Sequence, residues 1–181
     1  MERYLSPVAL WVTLPNPKEE SMRRLALAVP FLALLAACQP ATTELTEEQK
    51  AEIAAEVTAI HDEMWDAWPD LAQGMSFFDS APDVGWGWDG EVRFGSDNIG
   101  VWFEPTIASF DRFEITFDER RTVVLSQDVV CVTERGVSTA YDSTGSILGS
   151  GPLAATVVWV RRNGEWKIAA GHESTPVPEV Q

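Results

Sequence analysis

The chain has 181 residues, 45% of them hydrophobic, with 8 Trp and a formal charge of −15. That length carries one domain with a real core and is short for two. No basic surface is available to neutralise a phosphate backbone, so nucleic acid is excluded as a partner, and the acidic balance reads as a solvated surface.

Residues 1–21 contain three prolines and no export character. They read either as a disordered leader or as sequence upstream of a true start at Met22. Met22-Arg23-Arg24 is a positive segment, and Leu25 to Leu35 is an apolar run too short to span a bilayer. The run closes on Leu35-Ala36-Ala37-Cys38, which resembles the lipobox of bacterial lipoproteins. The resemblance implies lipid transfer to the Cys38 thiol, cleavage before it, and anchoring of the protein in the bacterial cell envelope. Gln39 follows the cysteine instead of an inner-membrane retention Asp, which favours the outer membrane. The expected division is a signal peptide over 22–37, a tether over 38–45, a domain over 46–175 and a tail over 176–181. With Cys38 lipidated, Cys131 has no disulfide partner. Within Val129-Val130-Cys131-Val132 it reads as a small core residue.

The domain opens with a predicted helix. Thr46 and Gln49 have capping-box spacing, and Ile53, Val57, Ile60, Met64 and Trp68 form one apolar stripe. Pro69 ends it, and Leu71, Met75 and Phe78 predict a second, short helix. Val84 to Phe94 reads as a hairpin turning at Asp89-Gly90, with Trp88 opposite Glu91 and Trp86 opposite Arg93 in a cation–π pair. Ser96 is placed to cap a third helix whose apolar face is Ile99, Trp102, Phe103, Ile107 and Phe110, kinked at Pro105.

The remainder reads as β. Phe113, Ile115 and Phe117 alternate with polar residues. Separate strands follow around Val123 to Leu125 and Val129 to Thr139, then a turn at Asp142-Ser143-Thr144-Gly145. Leu153 to Arg162 and Glu165 to Thr175 form a last hairpin about Asn163-Gly164. Pairing Arg162 with Glu165 sets Trp159 against Ile168, Val157 against Ala170 and Ala155 against His172. Unbroken alternation then points His172 into the domain, on the face of Trp159, Trp166 and Ile168.

This order of elements, closing on Gly164-x-Trp166-x-Ile168 and His172-x-Ser174, resembles the nuclear transport factor 2-like superfamily in its SnoaL-like and ketosteroid-isomerase-like branch. The resemblance covers roughly residues 46–175. It implies an α+β fold in which a curved antiparallel sheet wraps a long N-terminal helix into a cone with a pocket at the open end. It also implies frequent dimers through the sheet. The steroid isomerase's carboxylate base falls at Trp88 here, and its helical Tyr has no counterpart, so the resemblance implies a pocket and not a reaction.

Trp65, Trp68, Trp88, Trp102, Tyr141, His61 and His172 are the candidate pocket residues. The aromatics either line an apolar cavity or pack the core. His172 either exchanges a proton with a ligand or is a core histidine bonded to backbone or Ser174. His61 sits at the edge of the helix stripe, half in solvent or sharing the cavity. No metal-ligand spacing, phosphate loop or nucleophile elbow occurs, and no cofactor is implied. Three functions follow: binding of a small, mainly apolar molecule; acid–base catalysis of the isomerase or cyclase type through His172; or an interaction module with its cone filled by tryptophan.

Overall fold

The computed structural model describes residues 44–175. The expected leader, export signal, Cys38, nearly all of the expected tether and the tail lie outside the described residues.

Helix α1 (Glu47–Ala67) starts with the predicted box: Gln49 N–H donates to Thr46 Oγ1 at 3.2 Å, and Thr46 N–H to Gln49 Oε1 at 2.9 Å. Trp68 caps its end just before Pro69, which cannot continue a helix. Helix α2 (Leu71–Met75) follows, capped by Asp70. Strands β1 (Gly85–Trp88) and β2 (Glu91–Phe94) form the first hairpin in the predicted register. Asp89 and Gly90 both have positive φ, as the turn type requires. Helix α3 (Ser96–Ile107) buries Ile99 and Phe103. Its N-cap is Gly95 instead of Ser96, because the hairpin delivers the chain there at φ 81°, a conformation that suits glycine.

Four long strands complete the sheet: β3 (Arg112–Ser126), β4 (Val129–Tyr141), β5 (Ile147–Arg162) and β6 (Glu165–Ser174). The sheet order is β2-β1-β6-β5-β4-β3, antiparallel except for the parallel pair β1–β6. This is the predicted α+β cone: a curved, unclosed sheet holding α1, with Val57, Met64, Val130, Val132, Val157, Trp159 and Ile168 in its core.

Two bulges decide which side chains face inwards. In β3 the register against β4 slips between Phe117 and Glu119. The two strands predicted at 113–117 and 123–125 are therefore one strand whose facing changes midway. Phe113, Ile115 and Phe117 face the core before the slip. After it Arg120, Thr122 and Val124 do, leaving Val123 and Leu125 half-exposed or more on the other side.

The second slip lies between β5 and β6, where Trp159 pairs with Ile168 but Val158 pairs with Ala170, so Ala169 is the extra residue. Beyond it Val157 meets Gly171 and Ala155 meets Glu173. The predicted partners Ala170 and His172 are displaced by one position. His172 is exposed on the outer face, lying over Gly87, where an added Cβ would come within 2.8 Å of its ring. A one-residue slip moves every later side chain to the opposite face.

Cys131 is also displaced from the core. It alternates with the buried Val130 and Val132, so its thiol faces outwards and is half-buried. Arg93 stacks over Trp102 at 4.9 Å instead of over Trp86, whose ring is enclosed by Phe78, Phe103 and Gly171.

Candidate functional site

Four strands set one row of side chains across the inner face of the sheet: Glu134 on β4, Ala155 on β5, Glu173 on β6 and Trp88 on β1, each paired with the next. Two carboxyls thus lie two strands apart, roughly 10 Å at ordinary strand spacing. Their surroundings differ sharply.

Glu134 is fully buried and fully partnered. Its Oε1 accepts from the Trp65 indole at 2.6 Å and from His61 Nε2 at 2.8 Å, and its Oε2 accepts from Arg120 Nε at 2.6 Å. Arg120 also pairs with Asp62 at the edge of α1. The Trp159 indole donates to His61 Nδ1 at 3.1 Å. That bond requires a lone pair on Nδ1, which puts the ring proton on Nε2, facing the carboxylate. Burial alone opposes the Glu134 charge. The His61 contact, the Arg120 guanidinium and the Trp65 indole overcome it and hold the carboxyl below its ordinary value.

Glu173 is the opposite case. Among the described residues, no donor or cation reaches its carboxyl. Burial pushes it up to about 7, with the Asp89 and Glu134 charges adding to the rise. Asp89 is fixed at the rim by Thr175, whose backbone N–H and hydroxyl donate to it at 2.9 and 2.8 Å.

Glu173 borders a cavity of about 330 Å³ at the open end of the cone. One wall is aromatic: Trp65 and Trp68 from the end of α1, Trp86 and Trp88 from β1, Phe103 from α3. Edge-to-face contacts lock these rings, among them Trp68 on Phe103 at 5.6 Å and Trp86 on Phe103 at 5.9 Å. Across from it, beside Phe113 and Leu148, stand Ser138, Ala140 and Gly149, which bring little or no side chain and leave the space open. A Cβ added at Gly149 would touch nothing within 4 Å. Among the described residues, the buried indole N–H groups of Trp86 and Trp88 have no acceptor. Unpaired buried donors are uncommon and costly, and these two lie in the aromatic wall.

Of the predicted pocket residues, the structure brings Trp65, Trp68 and Trp88 to the cavity. Trp102 lies behind Phe103, stacked on it at 5.7 Å, because its position on α3 faces the β1–β2 hairpin. Tyr141 is outside, under the Arg112 guanidinium and donating to Glu114 at 2.9 Å. His61 is neither half in solvent nor in the cavity: it is fully buried beneath Trp65. His172 is excluded by the bulge. Sequence reasoning missed Glu173, for which the run Ala169-Ala170-Gly171 was the one local sign, since it holds no side chain that commits to a face. It also missed Glu134, although the alternation Val130-x-Val132-x-Glu134 points it inwards.

The Glu134 network ties α1 to β3, β4 and β5. Glu134→Ala leaves Arg120 and the His61 N–H without a buried acceptor. It is expected to cost about 3–5 kcal/mol in urea denaturation, and Glu134→Gln, which keeps a carbonyl acceptor, less. Because folding depresses the Glu134 pKa, its contribution is present at neutral pH and lost as pH falls through the folded value.

A SnoaL-like domain model matches residues 50–178. No curated protein sequence matches the chain. Several solved structures share the fold. A nuclear transport factor 2-like superfamily protein from Salmonella enterica serovar Typhimurium is 17% identical, with a TM-score of 0.61, covering 72% of this chain and 95% of its own. An NTF-2 like protein of unknown function from Shewanella oneidensis is 17% identical, with a TM-score of 0.54, covering 66% and 97%. The association domain of C. elegans CaMKII is 16% identical, with a TM-score of 0.55, covering 71% and 100%. With the curved sheet, the central helix and the cavity at the cone's open end, the match places this chain in the SnoaL-like family of the nuclear transport factor 2-like superfamily.

Proposed function

We propose that the protein is an envelope lipoprotein whose domain binds a small, mainly apolar molecule in the cavity beside Glu173. The observation that carries the binding reading is the open, aromatic-walled cavity, which falls within the size range of small-molecule sites. The filled-cone reading has less support, because Ser138, Ala140 and Gly149 leave the space unfilled. The lipid anchor rests on the sequence ending at Cys38. A homodimer through the outer face of the sheet accords with the half-exposed Val123 and Val137 there.

A second reading, acid–base catalysis of the isomerase or cyclase type, is favoured by one observation. A solitary carboxyl held at about 7 is poised to exchange a proton near neutral pH. In that reading the acid–base group is Glu173 and not the outward-facing His172. No described side chain orients the Glu173 carboxyl, so the binding reading remains the better supported.

Three measurements test these readings. In a thermal melt, 1-hexanol at ten times its Kd is expected to stabilise the domain by about 1.4 kcal/mol, a rise of a few degrees. Ala140→Trp, which fills the cavity, should remove the shift; an unchanged shift places the ligand elsewhere. Folding raises the Glu173 pKa, so stability is full below about pH 4.5 and falls as pH rises through about 7. Glu173→Gln should therefore be more stable than the parent at pH 8, by up to about 3 kcal/mol, and equal to it near pH 4. Cells fed radiolabelled palmitate should label the full chain and not Cys38→Ser; label on neither sinks the anchor.

A further inference from the structure

We propose that the cavity is a receptor for a small organic cation, an ammonium group carried on an apolar body, with Glu173 as its counter-ion and the indole rings of the wall around it. The inference rests on the binding reading above and names the ligand's charge. Among the described residues lining the cavity there is no Lys, Arg or His, and Glu173 is the one carboxyl.

The charged groups around Glu173 point the same way. Asp89, at the β1–β2 turn, and Glu134, across Ala155 in the same row, both add negative potential. Arg120 from β3 is engaged by Glu134 and Asp62. His61 on α1 donates its hydrogen bond to Glu134, and His172 lies on the other side of the strand. From β1, Glu173 meets the Trp88 ring, and from β5 the Ala155 methyl. Arg93 and Arg112 stack on Trp102 and Tyr141, outside the cavity. An anion entering here would meet like charge and no cationic partner, since the donors in the wall are the neutral indole N–H groups of Trp86 and Trp88 and a few hydroxyls.

A cation meets two complementary features. Trp65, Trp68, Trp86 and Trp88 line the cavity, and indole rings carry the π-electron density that attracts ammonium groups in aromatic cages. The Glu173 carboxylate, unpaired and partly removed from water, gains its missing partner. An ammonium ligand therefore needs Glu173 ionised, and its binding below neutral pH expels a proton.

The test compares three six-carbon probes of one shape on the full chain by calorimetry: hexylammonium, 1-hexanol and hexanoate. Hexylammonium is expected to bind at least about tenfold more tightly than 1-hexanol at pH 8, and hexanoate not to bind. Between pH 8 and pH 6 the ionised fraction of Glu173 falls about tenfold, so hexylammonium affinity should fall about tenfold while that of hexanol holds. Glu173→Gln should drop hexylammonium to the affinity of hexanol, with near-ultraviolet circular dichroism of the tryptophans reporting that the variant is folded. Binding of hexanol with no preference for hexylammonium, or a preference that survives Glu173→Gln, overturns the cation inference and leaves the apolar cavity standing. Binding of none of the three overturns both.

Discussion

The hydrogen bond between His61 and Glu134 is the contact around which the domain is organised. Both side chains are fully buried, one from the middle of the helix and one from the middle of the sheet. Neither would be tolerated there alone, because a buried carboxylate or an unpaired imidazole N–H costs several kcal/mol. Together with Trp65, Trp159 and Arg120 they fix the rotation of α1 about its own axis. Trp65 donates to Glu134 while its ring forms part of the cavity wall, so the polar network also determines where that wall stands.

The cavity follows from that arrangement and from an asymmetry of side-chain size. Large rings gather on α1, β1 and α3, while Ser138 and Ala140 of β4 and Gly149 of β5 bring little or no side chain to the space across from them. Burial of rings that lock edge to face makes the large wall rigid, so the small wall cannot collapse onto it without breaking the sheet's register. Glu173 stands at the seam between the two. The same row of the sheet thus contains one carboxyl stabilised as an anion and one held near neutrality, the pattern by which a fold separates a structural acid from a reactive or ligand-facing one.

Much of the architecture was legible in the sequence because it is written in local chemistry. The Thr46–Gln49 box, Asp89-Gly90 and Asn163-Gly164 each act within a few residues, and the elements they delimit occur where expected. Half of the site was not legible, and the reason is specific. Facing in a strand is a parity, and parity is reset by a bulge that depends on a neighbouring strand. The slip at Ala169 turned Glu173 inwards and His172 outwards, and the slip after Phe117 did the same for Arg120 against Val123. Tyr141 and Trp102 were misplaced for a related reason, since aromatic content says nothing about which neighbour a ring faces. Glu134 stood on an inward parity throughout, but an acid among valines is read as solvent-facing unless its partners, 14 and 73 residues away in the chain, are known.

The β6 bulge also sets which chemistry the chamber presents. An acid and an imidazole are adjacent in the chain at 172 and 173, and a single strand is all that separates inside from outside. Which of them faces the cavity is decided by one uncommitted alanine upstream. Pairing without the bulge at Ala169, with no substitution anywhere in the cavity, sets His172 against Ala155 and exchanges a carboxyl-bearing chamber for an imidazole-bearing one.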